Sequence, residues 1–164
     1  MSYPNRLDAA QYAGYRLYSL TFGAHRRARL FINQSVVNLV LSQFLHTATS
    51  EGFAVIAYCC MPDHVHMLVV GRREDADLRR FVSTAKQRSG FGFARTFGAR
   101  LWQKNFFDRT IRKDEDVPTI VAYMVNNPVR ERMVDDPADY PYWGSQVYSR
   151  EEILRFVGSS RRRR

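Results

Sequence analysis

The sequence has few cysteines and no long apolar run. Its two cysteines, Cys59 and Cys60, are adjacent, and neighbouring side chains of an extended chain point to opposite sides, which disfavours a disulfide between them. The longest apolar run, FAVIAYCCM, has nine residues, whereas a membrane-spanning helix needs about 20. The first residues, MSYPNRLDAAQ, lack the apolar core of a signal peptide. These absences exclude a disulfide scaffold and favour a soluble, cytoplasmic protein.

Acidic residues are also scarce relative to basic ones. The 164 residues include 25 Lys or Arg against 16 Asp or Glu, which gives a formal net charge of +9 and a pI near 10.0. The excess is concentrated between Arg72 and Lys113, where twelve basic residues stand against four acidic ones. Clustered positive charge is typical of proteins that bind polyanions. Nucleic acid is the favoured partner, and an anionic membrane surface or solubility alone is the alternative.

Candidate DNA-binding residues lie in this basic stretch. Its cations can contact phosphates, and its aromatic rings can stack on unpaired bases. For the aromatic residues, packing in the protein core is the alternative. The candidates are Arg79, Arg80, Lys86, Arg88, Trp102, Lys104, Arg109 and Arg112, with Phe106 and Phe107 as further stacking residues.

The pattern of apolar residues predicts alternating strands and helices. The predicted elements are strand 15–22, helix 34–52, a hairpin of strands 53–60 and 64–71 around the turn MPD, helix 75–90, an irregular segment 91–100 and strand 101–112. The order strand, helix, strand, strand, helix, strand is that of the ferredoxin-like (RRM-like) fold, which belongs to the α+β class. We expect helices on one face of the antiparallel sheet and a second face that is free for a ligand.

A last helix is predicted in the segment DEDVPTIVAYMVNNPVR. Acidic residues and Pro118 suit its start, and Pro128 should end it near Asn126 or Asn127. We expect one domain over residues 1–150 and a basic C-terminal tail over 151–164, whose final arginines form a disordered arm.

The segment MPDHVHMLVV places two of the four histidines one residue apart. Residues i and i+2 of a strand share a face, so His64 and His66 lie side by side while Val65 points into the core. Neighbouring imidazoles are good metal ligands, but histidines that only make hydrogen bonds within a sheet are the common alternative. A zinc site that adds Cys59 and Cys60 lacks the paired spacing that is usual for structural zinc.

The last helix carries Tyr123 and Asn127, which are four residues apart and therefore lie on one face or in its last turn. Tyr123 is at the margin of the apolar stripe. A tyrosine at the edge of a core and an asparagine at a helix C-terminus are both common. The helix alone therefore leaves open whether the two residues are structural or functional.

Together these segments resemble the single-tyrosine HUH transposases of bacterial insertion sequences, and most of all the branch called REP-associated tyrosine transposases. MPDHVHML resembles the His-hydrophobic-His motif of that family, LWQKNFFDRTIR its Trp-containing strand, and VAYMVNNPVRERMV its tyrosine helix. Lys86 stands where the family often has a basic residue. The resemblance covers roughly Tyr15 to Tyr148. One departure is YPYWGSQVY, where the family more often has Tyr-Pro-Trp-Ser-Ser. This difference affects the expected docking of the C-terminal segment and not the expected chemistry.

The resemblance implies a metal-dependent enzyme that cleaves and rejoins single-stranded DNA. Tyr123 would be the nucleophile and would form a 5′-phosphotyrosine link, leaving a free 3′-hydroxyl. His64, His66 and Asn127 would bind a divalent cation, Mg²⁺ or Mn²⁺. The DNA would be a hairpin of a repeated extragenic palindrome, met at the nucleoid in the bacterial cytoplasm, and the enzyme would act as a monomer or a homodimer.

Two other interpretations stay open at this point. A non-catalytic ferredoxin-like domain that binds nucleic acid would use the basic residues but would need neither Tyr123 nor the two histidines. A zinc-stabilised regulator would use Cys59 and Cys60. The presence of His64, His66 and Tyr123 in the order of the family favours the enzyme.

Overall fold

The computed structural model describes residues 12–162. The segment 1–11, on which the signal-peptide prediction rests, and the last two arginines of the predicted tail lie outside the described residues. The elements are β1 (Leu17–Ala24), α1 (Gln34–Ser50), β2 (Phe53–Met61), β3 (His64–Gly71), α2 (Leu78–Phe97), β4 (Trp102–Thr110), α3 (Val117–Val125), α4 (Asn127–Arg130), β5 (Trp143–Gly144) and α5 (Arg150–Arg162), with short 3-10 turns at His25–Arg27 and Pro137–Asp139.

The strands of the described chain form one antiparallel sheet in the order β4-β1-β3-β2-β5. The succession β1, α1, β2, β3, α2, β4 confirms the ferredoxin-like prediction. β2 and β3 form the predicted hairpin, and Met61 lies opposite His64 at its closed end. Gly23 of β1 also pairs with His64, and Trp102 of β4 pairs with the next residue of β1, Ala24. This edge of the sheet is called the histidine end below.

Helices α1 and α2 cover one face of the sheet, as predicted. Asn33 and Asp77 begin them, and each carboxyl or amide oxygen accepts hydrogen bonds from backbone N–H groups of the first turn. Phe22 of the sheet contacts Phe44 of α1 with ring centroids 5.0 Å apart, and Phe44 contacts Phe81 of α2 at 6.3 Å. All three rings are buried. Truncation of one such ring to alanine costs about 3–5 kcal/mol of stability, so this cluster anchors the helices to the sheet.

The opposite face of the sheet is not free, and that expectation was wrong. Helix α3 packs on this face, and α5 packs against α3. Ile56 and Leu68 of the sheet share a second apolar cluster with Val121 of α3 and with Ile153 and Val157 of α5. Both helices present apolar stripes that only this face can bury. The surface left for a polar site is the histidine end.

The C-terminal segment differs from its predicted form as a tail. It forms helix α5, in which Ile153 is completely buried and Val157 is 5% exposed. Their spacing of four residues is that of an amphipathic helix. Most residues of this segment are polar or charged, so its short apolar stripe was not recognised in the sequence. The helix belongs to the second apolar cluster, which is called the second core below.

Helix α2 is also longer than predicted and includes most of the segment expected to be irregular. Ala85, Ser89 and Phe93 are buried at a spacing of four residues, so the buried stripe continues past residue 90. The helix ends before Gly98, which has φ 65°, a left-handed conformation that favours glycine. Glycines inside the helix cost only about 1 kcal/mol each, which packing offsets. Among residues 12–162, no helix is both long and apolar enough to cross a membrane.

Candidate active site

Two histidines project from the start of β3 at the histidine end. His64 and His66 lie on the face that carries α3, because Val65 between them packs in the core under α1 and α2. Their Nε2 atoms are 3.1 Å apart, and the rings are nearly perpendicular, with an interplanar angle of 89°. The predicted side-by-side arrangement is therefore confirmed. The two Nε2 atoms, which are the inner ring nitrogens of the pair, therefore face each other.

The other ring nitrogen of each histidine, Nδ1, is the outer nitrogen, and it contacts a neighbouring side chain. His64 Nδ1 lies 2.6 Å from Asp63 Oδ1, and Arg27 is 3.0 Å from the other oxygen of Asp63. His66 Nδ1 lies 3.1 Å from the hydroxyl oxygen of Thr21. Burial raises the pKa of Asp63, but the hydrogen bond and charge of His64 and the charge of Arg27 outweigh it, so this pKa is lowered. Asp63 is therefore an ionised acceptor that fixes the orientation of His64.

The donor set of the pair suits a divalent cation. A carboxylate can only accept, so His64 Nδ1 carries a hydrogen, and Nε2 is bare whenever this ring is neutral. The Thr21 hydroxyl can donate to His66 Nδ1 or accept from it. If it donates, the hydrogen of the neutral ring is on Nε2, which can then donate to His64. If it accepts, the hydrogen is on Nδ1 and Nε2 is a second bare nitrogen. Burial, followed by the charges of His64 and Arg130, lowers the pKa of His66 to about 4. His66 is therefore neutral at pH 7, which is the form that binds metals.

Asn127 supplies an amide beside this face of the sheet. It is 7% exposed and is the first residue of α4, immediately after the break at Asn126 that ends α3. Its Oδ1 accepts a hydrogen bond of 3.0 Å from Arg130, and a carbonyl oxygen has a second lone pair. Within residues 12–162, no group of three or more His, Cys, Asp or Glu side chains could hold a metal ion. A cation bound by the histidine pair would therefore have no third ligand among the His, Cys, Asp and Glu side chains of residues 12–162.

The cysteines do not join one site with the histidines. Cys59 pairs with His66 across β2 and β3 and faces the second core, whereas Cys60 faces the core under α1 and α2. Burial raises the pKa of Cys59 to about 12 and raises that of Cys60 well above its usual range. Because zinc binds thiolates, this geometry disfavours the zinc site that uses both cysteines.

Tyr123 lies on the exposed side of α3, and its side chain is 59% exposed. Asp116 begins this helix by accepting a hydrogen bond from Thr119 N–H, and Pro118 lies in the first turn, as predicted. The guanidinium carbon of Arg130 lies 3.7 Å from the centre of the Tyr123 ring. Arg130 also donates to the main-chain oxygen of Tyr123 at 2.5 Å. One guanidinium thus joins the tyrosine and the asparagine that the sequence singled out.

Sequence reasoning missed Arg130, Asp63 and Thr21. Asp63 stands directly before the histidines in MPDHVH, so its position in the turn was a usable signal. Thr21 becomes a neighbour of His66 only through the pairing of β1 with β3. Arg130 lies in α4, seven residues after Tyr123 and beyond the break at Asn126, and its side chain reaches back to the tyrosine.

Trp102 was predicted to contact DNA, and the structure contradicts this. Its side chain is 5% exposed, its ring lies 5.5 Å from that of Phe31, and its Nε1–H donates to Ser89 at 2.9 Å. A ring enclosed in the core cannot stack on a base. Phe106 packs against the same core, whereas Phe107 is 52% exposed on the opposite side of β4. Phe107 alone of these three is placed for stacking.

The predicted basic residues do not form one surface. Arg79 lies over the Tyr12 ring and Arg80 pairs with Glu51, both at the start of α2 and far from the histidine end. Arg109 pairs with Glu115 near the end of β4. Arg88 is exposed on α2, and Arg112 is exposed just after β4.

A second group of cations lines a groove at the histidine end. The groove, of about 690 Å³, runs between the second half of α2 and the start of β4. Lys86 and Lys104 line it together with Arg100, which the sequence analysis did not select. Lys86 donates to the main-chain oxygens of Gln103 and Lys104 at 3.0 and 3.3 Å. Burial, and then the charge of Arg100, lower the pKa of Lys86.

Several known proteins are similar to this chain in sequence or in fold. A Haemophilus influenzae protein named for the REP-associated tyrosine transposases is 26% identical over 137 residues, which covers 77% of each chain. The REP-associated tyrosine transposase of Escherichia coli K12 is 25% identical over 120 residues, covering 72% of this chain and 68% of its own. A REP-associated tyrosine transposase solved with a REP hairpin shares the fold, with a TM-score of 0.70 and 22% identity over 87% of this chain and 82% of its own.

The family model described as "Transposase IS200 like" matches residues 15–127. That range begins just before β1 and ends at Asn127, so it contains the two histidines, Tyr123 and the whole ferredoxin-like core. The chain therefore belongs to the IS200-like transposase family.

Proposed function

We propose that this transposase is a metal-dependent single-stranded DNA transesterase that cleaves and rejoins hairpin-bearing DNA through a 5′-phosphotyrosine at Tyr123. The observation that carries the proposal is the histidine pair, whose two inner nitrogens lie 3.1 Å apart. They face the same side of the sheet as the helix that carries an exposed tyrosine. A solved structure that shares the fold is described as a REP-associated tyrosine transposase bound to a REP hairpin, which supports hairpin DNA as the partner.

The chemistry assigned to Tyr123 is a direct displacement at phosphorus. The phenol oxygen forms a bond to phosphorus while the bond from phosphorus to the 3′-oxygen breaks. The phenol proton is lost to solvent, and the leaving 3′-oxygen gains a proton. Because one phosphoester replaces another, a 3′-hydroxyl of a second strand can reverse the step and free the tyrosine without an external energy source. The exposed position of Tyr123 lets a DNA strand reach it.

His64, His66 and Asn127 are the residues that would hold the cation. When bound, a divalent cation neutralises phosphate charge and stabilises a leaving oxygen. Asp63 and Thr21 orient the two imidazoles, as outer hydrogen-bond partners do in metal sites. Imidazole ligands suit zinc and other transition metals, while Mg²⁺ prefers oxygen. Mg²⁺ or Mn²⁺ is proposed from the family resemblance.

The DNA is proposed to approach along the histidine end. The groove between α2 and β4 opens there and is lined by Lys86, Arg100 and Lys104. Phe107 lies on β4 opposite Thr21, the residue that contacts His66. Phosphates in the groove and an unpaired base on Phe107 would bring a single strand to the histidine pair. With this function, the protein would act on bacterial chromosomal DNA.

The test is a covalent-trapping gel. Labelled single strands containing the inverted repeats beside the gene would be incubated with the protein and Mg²⁺, Mn²⁺ or a chelator, and adducts would be resolved under denaturing conditions. We expect an adduct that requires metal and is lost in Tyr123→Phe. Tyr15→Phe is the control, because Tyr15 is an exposed tyrosine outside the site. Tight binding without an adduct in any metal would instead favour the non-catalytic nucleic-acid-binding domain.

A further inference from the structure

We propose that Arg130 is a further catalytic residue, which binds a non-bridging oxygen of the phosphodiester that Tyr123 attacks and holds the tyrosine beside it. This inference rests on the proposed function. It assigns to Arg130 a ligand class, the phosphodiester group, that the histidine–tyrosine motif does not supply.

The first observation is the set of contacts that fix the guanidinium. It lies flat over the Tyr123 ring at 3.7 Å from Cζ to the ring centre. One terminal nitrogen donates to the main-chain oxygen of Tyr123, and the other donates to Asn127 Oδ1 at 3.0 Å. Three contacts to two residues leave the guanidinium with one orientation. Arg130 is thereby held beside both residues to which the site assigns a role.

The second observation is that its charge and most of its donors are unused. A guanidinium has five N–H groups, and the contacts above use two of them. Among residues 12–162, no Asp or Glu forms an ion pair with Arg130. The side chain is nevertheless exposed. An exposed, oriented and uncompensated guanidinium is suited to phosphate, which it can bind through paired N–H donors.

The third observation places this charge at the reacting group. The hydrogen bond from Arg130 to Asn127 Oδ1 joins the guanidinium to a residue that is proposed to hold the cation. Arg130 also lines a small cleft with Tyr123, Asn126 and Arg161. A phosphate that Tyr123 attacks would therefore lie within reach of the unused N–H groups of Arg130. The developing negative charge on its non-bridging oxygens would be stabilised by a donor already in place.

Arg150 provides a matched control within the same chain. Its guanidinium carbon lies 3.8 Å from the ring centre of Trp143, and it donates to the main-chain oxygens of Trp143, Ala138 and Tyr140. These are the same kinds of contact that Arg130 makes, but they lie in the C-terminal segment. A purely structural loss of stacking and carbonyl contacts should affect both arginines alike.

The experiment scans the DNA for the phosphate that Arg130 contacts. In a Tyr123→Phe background, which keeps the ring but prevents cleavage, single strands with the inverted repeats beside the gene would carry a neutral methylphosphonate at one linkage at a time. We expect one linkage whose neutralisation weakens binding by about fivefold or more, as for loss of a charge-assisted contact. That effect should vanish in Arg130→Gln and persist in Arg150→Gln.

Adduct formation by the protein with Tyr123 intact gives the second readout. We expect Arg130→Gln to slow it by about 100-fold or more, the usual effect of removing one preorganised donor. Arg130→Lys should recover part of the rate, because charge is kept while the paired donors are lost. Thermal melting of each variant would verify that it is folded.

The outcomes separate the two proposals. If no linkage depends on Arg130, or if Arg130→Gln is no slower than Arg150→Gln, the role of Arg130 is overturned. If one linkage depends on Arg130 but the unmodified protein forms no adduct in any metal, the phosphate contact stands and the tyrosine chemistry fails. If the adduct forms normally in Arg130→Gln, the tyrosine chemistry stands and the role of Arg130 fails.

Discussion

At the scale of single residues, the histidine pair illustrates how neighbours decide what a side chain can do. The imidazoles themselves are ordinary, but Asp63 and Thr21 hold their outer nitrogens and turn the inner ones toward each other. In metal sites such outer partners typically change affinity or activity by about 10–100-fold. We therefore expect the affinity of the proposed cation site to depend on Asp63 as well as on the histidines.

The first prediction tests Asp63. In Asp63→Asn the amide still fits the turn but no longer offers a charged acceptor to His64. We expect the metal concentration needed for half-maximal adduct formation to rise by about 10–100-fold. Asp75→Asn is the control, because Asp75 is an exposed carboxylate that pairs only with Arg73 among the described residues. An unchanged metal requirement in Asp63→Asn would contradict the role given to this carboxylate.

Some of the site residues could be identified from the sequence and others could not, and the reasons are physical. His64 and His66 could be placed together because strand geometry has a fixed period of two. Trp102 was misassigned. Basic neighbours indicate that a ring contacts DNA only when the ring is exposed, and the local sequence does not show whether it is buried. Arg130 was not identified, because the sequence does not show that its side chain reaches back to Tyr123 and Asn127.

The second prediction separates the aromatic residues of β4. Trp102→Phe removes the hydrogen bond to Ser89 and part of the core volume, so we expect a loss of about 1–3 kcal/mol in the free energy of unfolding. Phe107→Ala should change stability little, because the ring is 52% exposed, but it should weaken single-strand binding by about 1–3 kcal/mol if it stacks on a base. Urea unfolding and binding titrations measure the two effects. Equal binding by Phe107→Ala would exclude stacking.

At the scale of elements, apolar periodicity predicted type and order well but not extent. β4 and the start of α3 lie where expected, because an aromatic-rich segment and the Asp-x-Pro segment are strong local signals. The end of α2 and the whole of α5 were missed. In both, a few buried residues fix the helix within a segment whose composition is polar, so packing rather than propensity decides the outcome.

The third prediction tests whether α5 is part of the domain. Ile153→Ala should destabilise the protein by about 2–5 kcal/mol, the usual cost of truncating a fully buried isoleucine. Arg155→Ala, two residues away on the exposed side of the same helix, should cost less than about 0.5 kcal/mol. Urea unfolding followed by circular dichroism measures both. If Ile153→Ala were as stable as Arg155→Ala, α5 would be an appended tail after all.

At the scale of the whole molecule, positive charge is divided between the two ends of the sheet. The sequence predicted a single basic stretch, but α2 spans the sheet and carries its arginines to both ends. Arg79 and Arg80 lie at the end where β2 begins, and Arg80 is already paired with Glu51. Lys86, Arg100 and Lys104 lie at the histidine end, and none of these three forms an ion pair with a residue of the described range. The charges of these three side chains are therefore not neutralised by a neighbouring carboxylate.

The last prediction follows from this division. Each phosphate contact on a single strand contributes about 0.7 to the slope of log K against log salt concentration. The double variant Arg100→Gln, Lys104→Gln should therefore lower the magnitude of that slope by about 1.4 if both cations contact the strand. Arg79→Gln, Arg80→Gln changes the formal charge equally at the other end and should leave the slope nearly unchanged. The measurement is fluorescence anisotropy of a labelled single strand over a range of NaCl concentrations. Because net charge is the same in both variants, a difference in slope reports where the DNA lies rather than how charged the protein is. A larger change in the second variant would place the strand along the start of α2, away from the histidine pair.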